Sequence, residues 1–91
     1  MLVHDILIAQ FKYEELIMNC YLCKEKAKII RLRHGYDGEE VSCNDCGIYH
    51  IDGTTGAEIN SKPKDSCVVY IERLFRERKQ GTSIPHINFL W

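Results

Sequence analysis

The chain has 91 residues, of which 45% are hydrophobic and 27% charged, and its formal net charge is −1. These ordinary globular values exclude a fibrous or an intrinsically disordered chain. We expect one domain over residues 1–91, with a core so small that something further must stabilise it. Residues 67–91 hold four basic and two acidic side chains, whereas residues 1–66 hold eight and eleven. The chain therefore lacks the broad basic surface typical of duplex-DNA binders.

The N-terminal segment fits two patterns. Leu2, Ile6, Ala9, Tyr13 and Leu16 recur at steps of three and four, which places them on one face of a helix. The apolar run 6–8 would also suit a strand. We interpret residues 2–18 as an N-terminal helix. The polar residues among them do not fit a signal peptide, and the short apolar runs do not fit a membrane-spanning helix, so we expect a cytoplasmic protein with no membrane partner.

The middle of the chain predicts short strands separated by turns. Residues 27–33 (AKIIRLR) and 48–51 (IYHI) have the composition of strands, and the glycines of HGYDGEE mark a turn after the first of them. We interpret DGTTG (52–56) as a turn, AEI (57–59) as the start of a last short strand, and residues 60–66 as a linker.

The C-terminal region predicts an amphipathic helix over 67–80 and then an extended tail. Val68, Ile71, Leu74 and Phe75 form an apolar stripe, Ser66 or Asp65 is placed to cap its start, and Gly81 is placed to close it. In the tail, Ile87, Phe89 and Trp91 alternate to one side and either fold back on the helix or dock on another chain. The predicted fold class is α+β, with the helix and tail occupying 66–91.

The chemistry of the sequence lies in a doubled CxxC motif. Its members are Cys20, Cys23, Cys43 and Cys46. Each CxxC can direct two sulfurs at one ion from a single turn, and two such turns give the tetrahedral thiolate site that structural zinc prefers. The 19-residue spacer between the pairs is typical of such sites. Gly47 permits the tight backbone path of a knuckle. We predict one structural Zn²⁺.

Two other interpretations of the four cysteines stay open. A thioredoxin-like redox pair would require a CxxC at the start of a long helix, which neither pair offers. An iron site held by the same four sulfurs, as in rubredoxin, is chemically compatible with the sequence.

The order CxxC, strand, turn, strand, CxxCG, strand resembles the zinc ribbon family. The segment CNDCGIYHI is similar to the second knuckle of ribbons in many small bacterial and phage proteins. The resemblance implies a ribbon of β-hairpins over about residues 18–59. In a treble clef a helix would begin at the second pair, whereas IYHID follows here. The motif implies a metal and a local fold but not a function, because ribbons serve in many roles.

Two further residues invite a functional interpretation. Cys67 shares a helix face with Tyr70, Ile71 and Leu74, so we interpret it as a small buried residue. His50 follows the second CxxC and could act as a ligand, but four cysteines are available, so we interpret it as an ordinary strand residue.

We expect a non-catalytic module that docks on a larger protein as an adaptor, regulator or inhibitor, with no small-molecule substrate. The alternative is a nucleic-acid-binding ribbon that uses the basic helix 67–80 and the strand 27–33. The helix cations also suit ion pairs on a solvated face, such as Arg73 with Glu77. The candidate partner-binding residues lie on the helix and tail: Tyr70, Arg73, Arg76, Arg78, Lys79, Phe89 and Trp91.

Overall fold

A computed structural model describes residues 15–32 and 38–91 of the chain. The described part is α+β, as predicted. Its elements in chain order are β1 (Glu15–Asn19), β2 (Lys26–Arg31), β3 (Gly38–Cys43), β4 (Gly47–Asp52), α1 (Gly53–Asn60), a 3-10 helix (Lys64–Cys67), α2 (Val68–Lys79) and β5 (His86–Ile87).

The five strands form one sheet in the order β1-β2-β3-β4-β5. The first four strands are antiparallel neighbours joined by hairpins, as the ribbon resemblance implied, and β5 adds to β4 in parallel. The two CxxC turns are the connections between β1 and β2 and between β3 and β4. Both turns therefore open at the same end of the sheet.

The core lies on one face of this sheet. Ile29, Val41 and Tyr49 are aligned across β2, β3 and β4, and all three are buried. Their neighbours along each strand are more exposed, because successive side chains of a strand point to opposite faces. Leu74 of α2 and Ile59 of α1 complete the same buried cluster.

The prediction of an N-terminal helix is wrong for residues 15–18, which belong to β1. Residues 2–14 of that predicted helix lie outside the described residues. β1 pairs with β2 from Glu15 opposite Ile30 to Asn19 opposite Lys26. An apolar segment of this composition suits either structure, and pairing with the open edge of β2 decides for the strand.

The prediction of a turn at 52–56 followed by a strand is also wrong, because these residues form α1. Asp52 is its N-cap, and its side chain accepts a hydrogen bond from the Thr55 amide at 2.8 Å. Thr55, Gly56 and Ile59 are buried on the inner side of this helix. Capping and burial thus outweigh the low helix propensity of glycine and threonine.

The predicted helix 67–80 is confirmed as α2, one residue shorter at each end. Gly81 has a φ of 106°, and the amides of Gly81 and Thr82 donate to the carbonyls of Arg78 and Glu77. This is the Schellman arrangement expected of a C-terminal glycine. The N-cap prediction is wrong, because Asp65 and Ser66 lie within the 3-10 helix and Cys67 takes the cap position without a side-chain bond.

The tail folds back on the rest of the chain over most of its length. Pro85 and Ile87 are buried, and β5 pairs with β4. Trp91 packs against the core cluster. Phe89, by contrast, is 81% exposed, so the predicted alternation of Ile87, Phe89 and Trp91 to one side fails at its middle residue.

Candidate metal centre

The first knuckle is the turn between β1 and β2. The amide of Cys20 donates to the carbonyl of Glu25 at 2.6 Å, and the amide of Lys24 donates to the carbonyl of Cys20 at 3.1 Å. Lys24 adopts a φ of 67°, in the left-handed region that non-glycine residues rarely occupy. These bonds bring Cys20 and Cys23 to the same side of the turn, where both are buried.

The second knuckle connects β3 to β4. Cys43 ends one strand and pairs with Gly47, which begins the next. Gly47 has a φ of 81°, the conformation for which the sequence predicted a glycine. The amide of Cys46 donates to the Sγ of Cys43 at 3.5 Å. The backbone of this turn is therefore arranged to stabilise negative charge on sulfur.

The two knuckles bring the four cysteines together. All four are buried, and their Sγ atoms lie within 4.8 Å of one another. The distance is 3.9 Å between Cys20 and Cys46 and 3.4 Å between Cys23 and Cys43. Zinc–sulfur bonds of about 2.3 Å in a tetrahedron place the sulfurs roughly 3.8 Å apart. The thiols are free of disulfides, and their geometry fits one structural zinc ion.

The charge state of the cluster supports the same conclusion. The hydrogen bond between Cys20 and Cys46 lowers the pKa of Cys20 to about 4, against the effect of burial, and it raises the pKa of Cys46. Burial raises the pKa of Cys23 to about 11. Four sulfurs this close cannot all ionise by themselves, and a divalent cation supplies the positive charge that lets each act as a thiolate.

Tyr49 belongs to the site, although its sequence context predicted only a strand residue. Its side chain is fully buried, and its hydroxyl lies 3.0 Å from the Sγ of Cys20. Burial and the negative charge of Cys20 raise the pKa of Tyr49. The hydroxyl therefore stays protonated and donates a hydrogen bond to the Cys20 thiolate. The signal in the sequence was its position three residues after Cys46, on the inward face of β4.

The first knuckle is held against α1 by its own side chains. The Nζ of Lys24 donates to the carbonyl of Tyr21 at 2.7 Å and to that of Ile59 at 3.2 Å. The hydroxyl of Tyr21 donates to a carboxylate oxygen of Glu39. The Tyr21 ring packs so closely on α1 that a Cβ at Gly56 would lie 3.3 Å from a carbon of the ring.

The second knuckle is held against α2 by one cation. The Nη2 of Arg78 donates to the carbonyl of Ile48 at 2.8 Å. The guanidinium lies over Gly47, where a Cβ would be 2.9 Å from Nη2. Arg78 was predicted to bind a partner, whereas in this structure its side chain attaches α2 to the second knuckle.

The other predicted partner-binding residues divide into two groups. Arg73 lies 4.2 Å from the ring centroid of Trp91 and binds Glu77 at 3.0 Å, the ion pair that the sequence predicted. Tyr70 is half-buried against the core. The remaining residues, Arg76, Lys79 and Phe89, are exposed.

Cys67 and His50, the two further candidates from the sequence, both lie outside the four-sulfur cluster. Cys67 is fully buried, as predicted, with its Sγ 3.9 Å from the carbonyl of Tyr21. His50 lies on β4 outside the sulfur cluster, and its Nε2 is 3.0 Å from a carboxylate oxygen of Glu40.

Within residues 15–32 and 38–91, no helix combines the length and the apolar character that crossing a bilayer requires. The sequence matches no protein-family model, no curated protein and no solved structure. The likeness to zinc ribbons therefore rests on the cysteine spacing and on the geometry of the knuckles.

Proposed function

We propose that the protein is a small, non-catalytic zinc module that docks on a larger protein as an adaptor, regulator or inhibitor. The observation that carries the proposal is the outward face of α2. Val68, Val69 and Phe75 are exposed along it, although each is a residue that normally stabilises a protein by burial. A cluster of exposed apolar side chains on one helix indicates an interaction surface.

The charge beside these residues indicates the kind of partner. Arg76 and Lys79 are exposed and flank Phe75, and the four residues Glu72, Phe75, Arg76 and Lys79 line one shallow groove. A protein surface that combines an apolar ridge with acidic side chains would complement this groove. The exposed tail residues Phe89 and Leu90 offer a second apolar contact.

The metal centre supports a non-catalytic role. Four protein ligands fill a tetrahedral zinc site, so no coordination position is left for a reacting water. The ion would stabilise the fold, and the interaction with a partner would be made by the helix and tail. We therefore propose no enzymatic activity and no small-molecule substrate.

Affinity purification of variants tests the docking proposal. We expect Val69→Asp to abolish capture of one specific protein, whereas Ile17→Asp, an equal change at an equally exposed position of β1, leaves it unchanged. Val69 is 64% exposed and Ile17 is 63% exposed, so neither change removes a core contact. The purified candidate must then bind the wild-type chain directly in a titration. Equal loss or equal retention in both variants would reject α2 as the docking face.

A nucleic-acid-binding role is the second candidate, and the groove on α2 is the observation that favours it. The exposed ring of Phe75 beside Arg76 and Lys79 would suit stacking on a base with cations at the phosphates. Affinity would then fall steeply as salt rises, because binding releases counterions. We expect titration with single- and double-stranded DNA and RNA to show no salt-sensitive binding. If the wild-type chain bound a nucleic acid with an affinity that fell steeply as salt rose, and Lys79→Gln lost that dependence, this role would be favoured over docking.

A further inference from the structure

Two large apolar side chains project from a turn in the tail. Phe89 is 81% exposed, more than any other large apolar residue in the described part of the chain, and Leu90 is 72% exposed. They form the centre of a four-residue turn, in which the amide of Trp91 donates to the carbonyl of Asn88 at 3.0 Å. Small or polar residues usually fill these positions. Phenylalanine and leucine contribute little stability here, because they stabilise a fold by being buried.

The turn is anchored on both sides. Within it, the Oδ1 of Asn88 accepts a hydrogen bond from the amide of Leu90 at 2.9 Å. Before it, Ile87 is fully buried and belongs to β5. After it, Trp91 packs against the core cluster, and the guanidinium of Arg73 lies 4.2 Å from the centroid of its ring. The exposed pair therefore projects from a backbone whose two ends are fixed.

We propose that Phe89 and Leu90 are the anchor that inserts into an apolar pocket of the partner protein, an inference that rests on the docking function proposed above. The turn is already formed in the free chain, so binding orders few new groups and loses little conformational entropy. Side chains that fill pockets in this way commonly carry most of the free energy of an interface.

The position of the turn beside α2 allows one partner to contact both. Arg73, which holds Trp91, belongs to α2, and the next residue towards the N-terminus, Glu72, lines the exposed groove of that helix. The turn is thus attached to the helix that carries the proposed docking face. The apolar pocket that receives Phe89 would lie next to the partner surface that meets the groove.

Two other occupants suit the turn less well. A single myristoyl chain gives only marginal membrane binding, and two side chains bury less apolar surface than such a chain. A second copy of this chain would have to receive Phe89 in a groove of its own. The groove on α2 is lined by three charged side chains and one phenylalanine, which is not an apolar pocket. A pocket on a different protein therefore fits the chemistry of the turn best.

Direct titration of the purified partner, identified as described for Val69→Asp, tests this proposal. We expect Phe89→Ala to weaken binding roughly tenfold or more, as the loss of an anchor side chain does. Ile84→Ala is the matched control, because Ile84 is 42% exposed in the loop before β5 and lies outside the turn. Its affinity should equal that of the wild type. An unchanged zinc content and thermal midpoint show that each variant has folded.

Asn88 is a positioning residue, and its variants separate the shape of the turn from the anchor itself. Asn88→Ala removes the acceptor of the hydrogen bond from the Leu90 amide and should weaken binding, though less than Phe89→Ala does. Asn88→Asp keeps an acceptor oxygen at the same place and should restore the affinity.

The outcomes distinguish failure of the anchor from failure of docking. Loss of the partner in Val69→Asp with full affinity in Phe89→Ala would reject the anchor and leave docking through α2 in place. Equal losses in Phe89→Ala and Ile84→Ala would also reject it. Binding to phosphatidylcholine–phosphatidylglycerol vesicles, or a dimer in analytical ultracentrifugation, would overturn the proposal if Phe89→Ala abolished it, since the turn would then serve lipid or a second copy. A wild-type chain that binds no protein directly would reject both proposals.

Discussion

The two cysteine knuckles have the same spacing but are held in the fold by different means. In the first knuckle, Tyr21 and Lys24 reach outward and bond to Glu39 and to α1. In the second, Gly47 offers no side chain, and Arg78 of α2 occupies the space above it. The first knuckle is therefore attached by hydrogen bonds from its own side chains. The second is attached by Arg78, which fits above the turn because Gly47 has no side chain. Substitutions in the two knuckles should act through correspondingly different mechanisms.

Loss of a metal ligand should have the largest effect and should be the same in both knuckles. Cys20→Ser and Cys43→Ser each leave three sulfurs, and in a small zinc domain the free energy of metal binding, on the order of 10 kcal/mol, is largely folding free energy. We expect both variants, and the wild type after chelation, to lose their circular dichroism signal and their thermal transition. An unchanged thermal midpoint after chelation would contradict this.

Cys67→Ser is the control for these substitutions. Cys67 is buried but lies outside the four-sulfur cluster. We expect this variant to retain one zinc ion per chain and to lose much less stability than the ligand variants.

Gly47→Ala should separate the second knuckle from the first. An L-residue in the left-handed conformation costs roughly 1–2 kcal/mol, and the new Cβ would also displace Arg78. We expect the free energy of unfolding to fall by about 2 kcal/mol in a denaturant titration. In an Arg78→Met background the alanine should cost less, because the guanidinium no longer competes for the same space. Equal costs in both backgrounds would show that Arg78 does not pack there.

Lys24→Met tests the corresponding attachment of the first knuckle. The change keeps the aliphatic chain but removes the two hydrogen bonds from Nζ to the carbonyls of Tyr21 and Ile59. We expect a loss of about 1–2 kcal/mol in the free energy of unfolding, measured as for Gly47→Ala. Hydrogen exchange at the C-terminal end of α1 should accelerate, while that of α2 should not. Acceleration confined to α2 would contradict the assignment of Lys24 to α1.

Tyr49→Phe should give the smallest effect. It removes a hydrogen bond that connects the two knuckles of the site. Tyr49 follows the second knuckle but donates to Cys20 of the first. We expect the fold to persist, because the ring still fills the core, and the zinc affinity to fall roughly tenfold, as is typical for the loss of a group that supports a ligand. Competition with a chromophoric chelator measures this affinity. An unchanged affinity would mean that the hydroxyl does not support the thiolate.

The sequence predicted the parts of the fold whose causes are local. The spacing of the cysteines, the turn glycine Gly47 and the helical periodicity of α2 each act within a few residues of the chain. The same is true of Gly81, which closes α2. Burial of the predicted apolar stripe of α2 is not local, and Val68 and Phe75 of that stripe are exposed. Sequence patterns failed for β1, where a helix and a strand were both compatible with the residues, and for α1, where the glycines predicted a turn and a strand. In those segments, pairing with β2 and packing against Tyr21 made the choice.

The sequence by itself determined the four metal ligands and the helix after Ser66, because ligand spacing and helical periodicity are properties of the chain alone. Only the tertiary structure decided that Tyr49 donates to Cys20 and that Arg78 lies over Gly47. It also placed the guanidinium of Arg73 beside the ring of Trp91. Those contacts join residues far apart in the chain, and strand register and helix packing, which no local pattern encodes, bring them together.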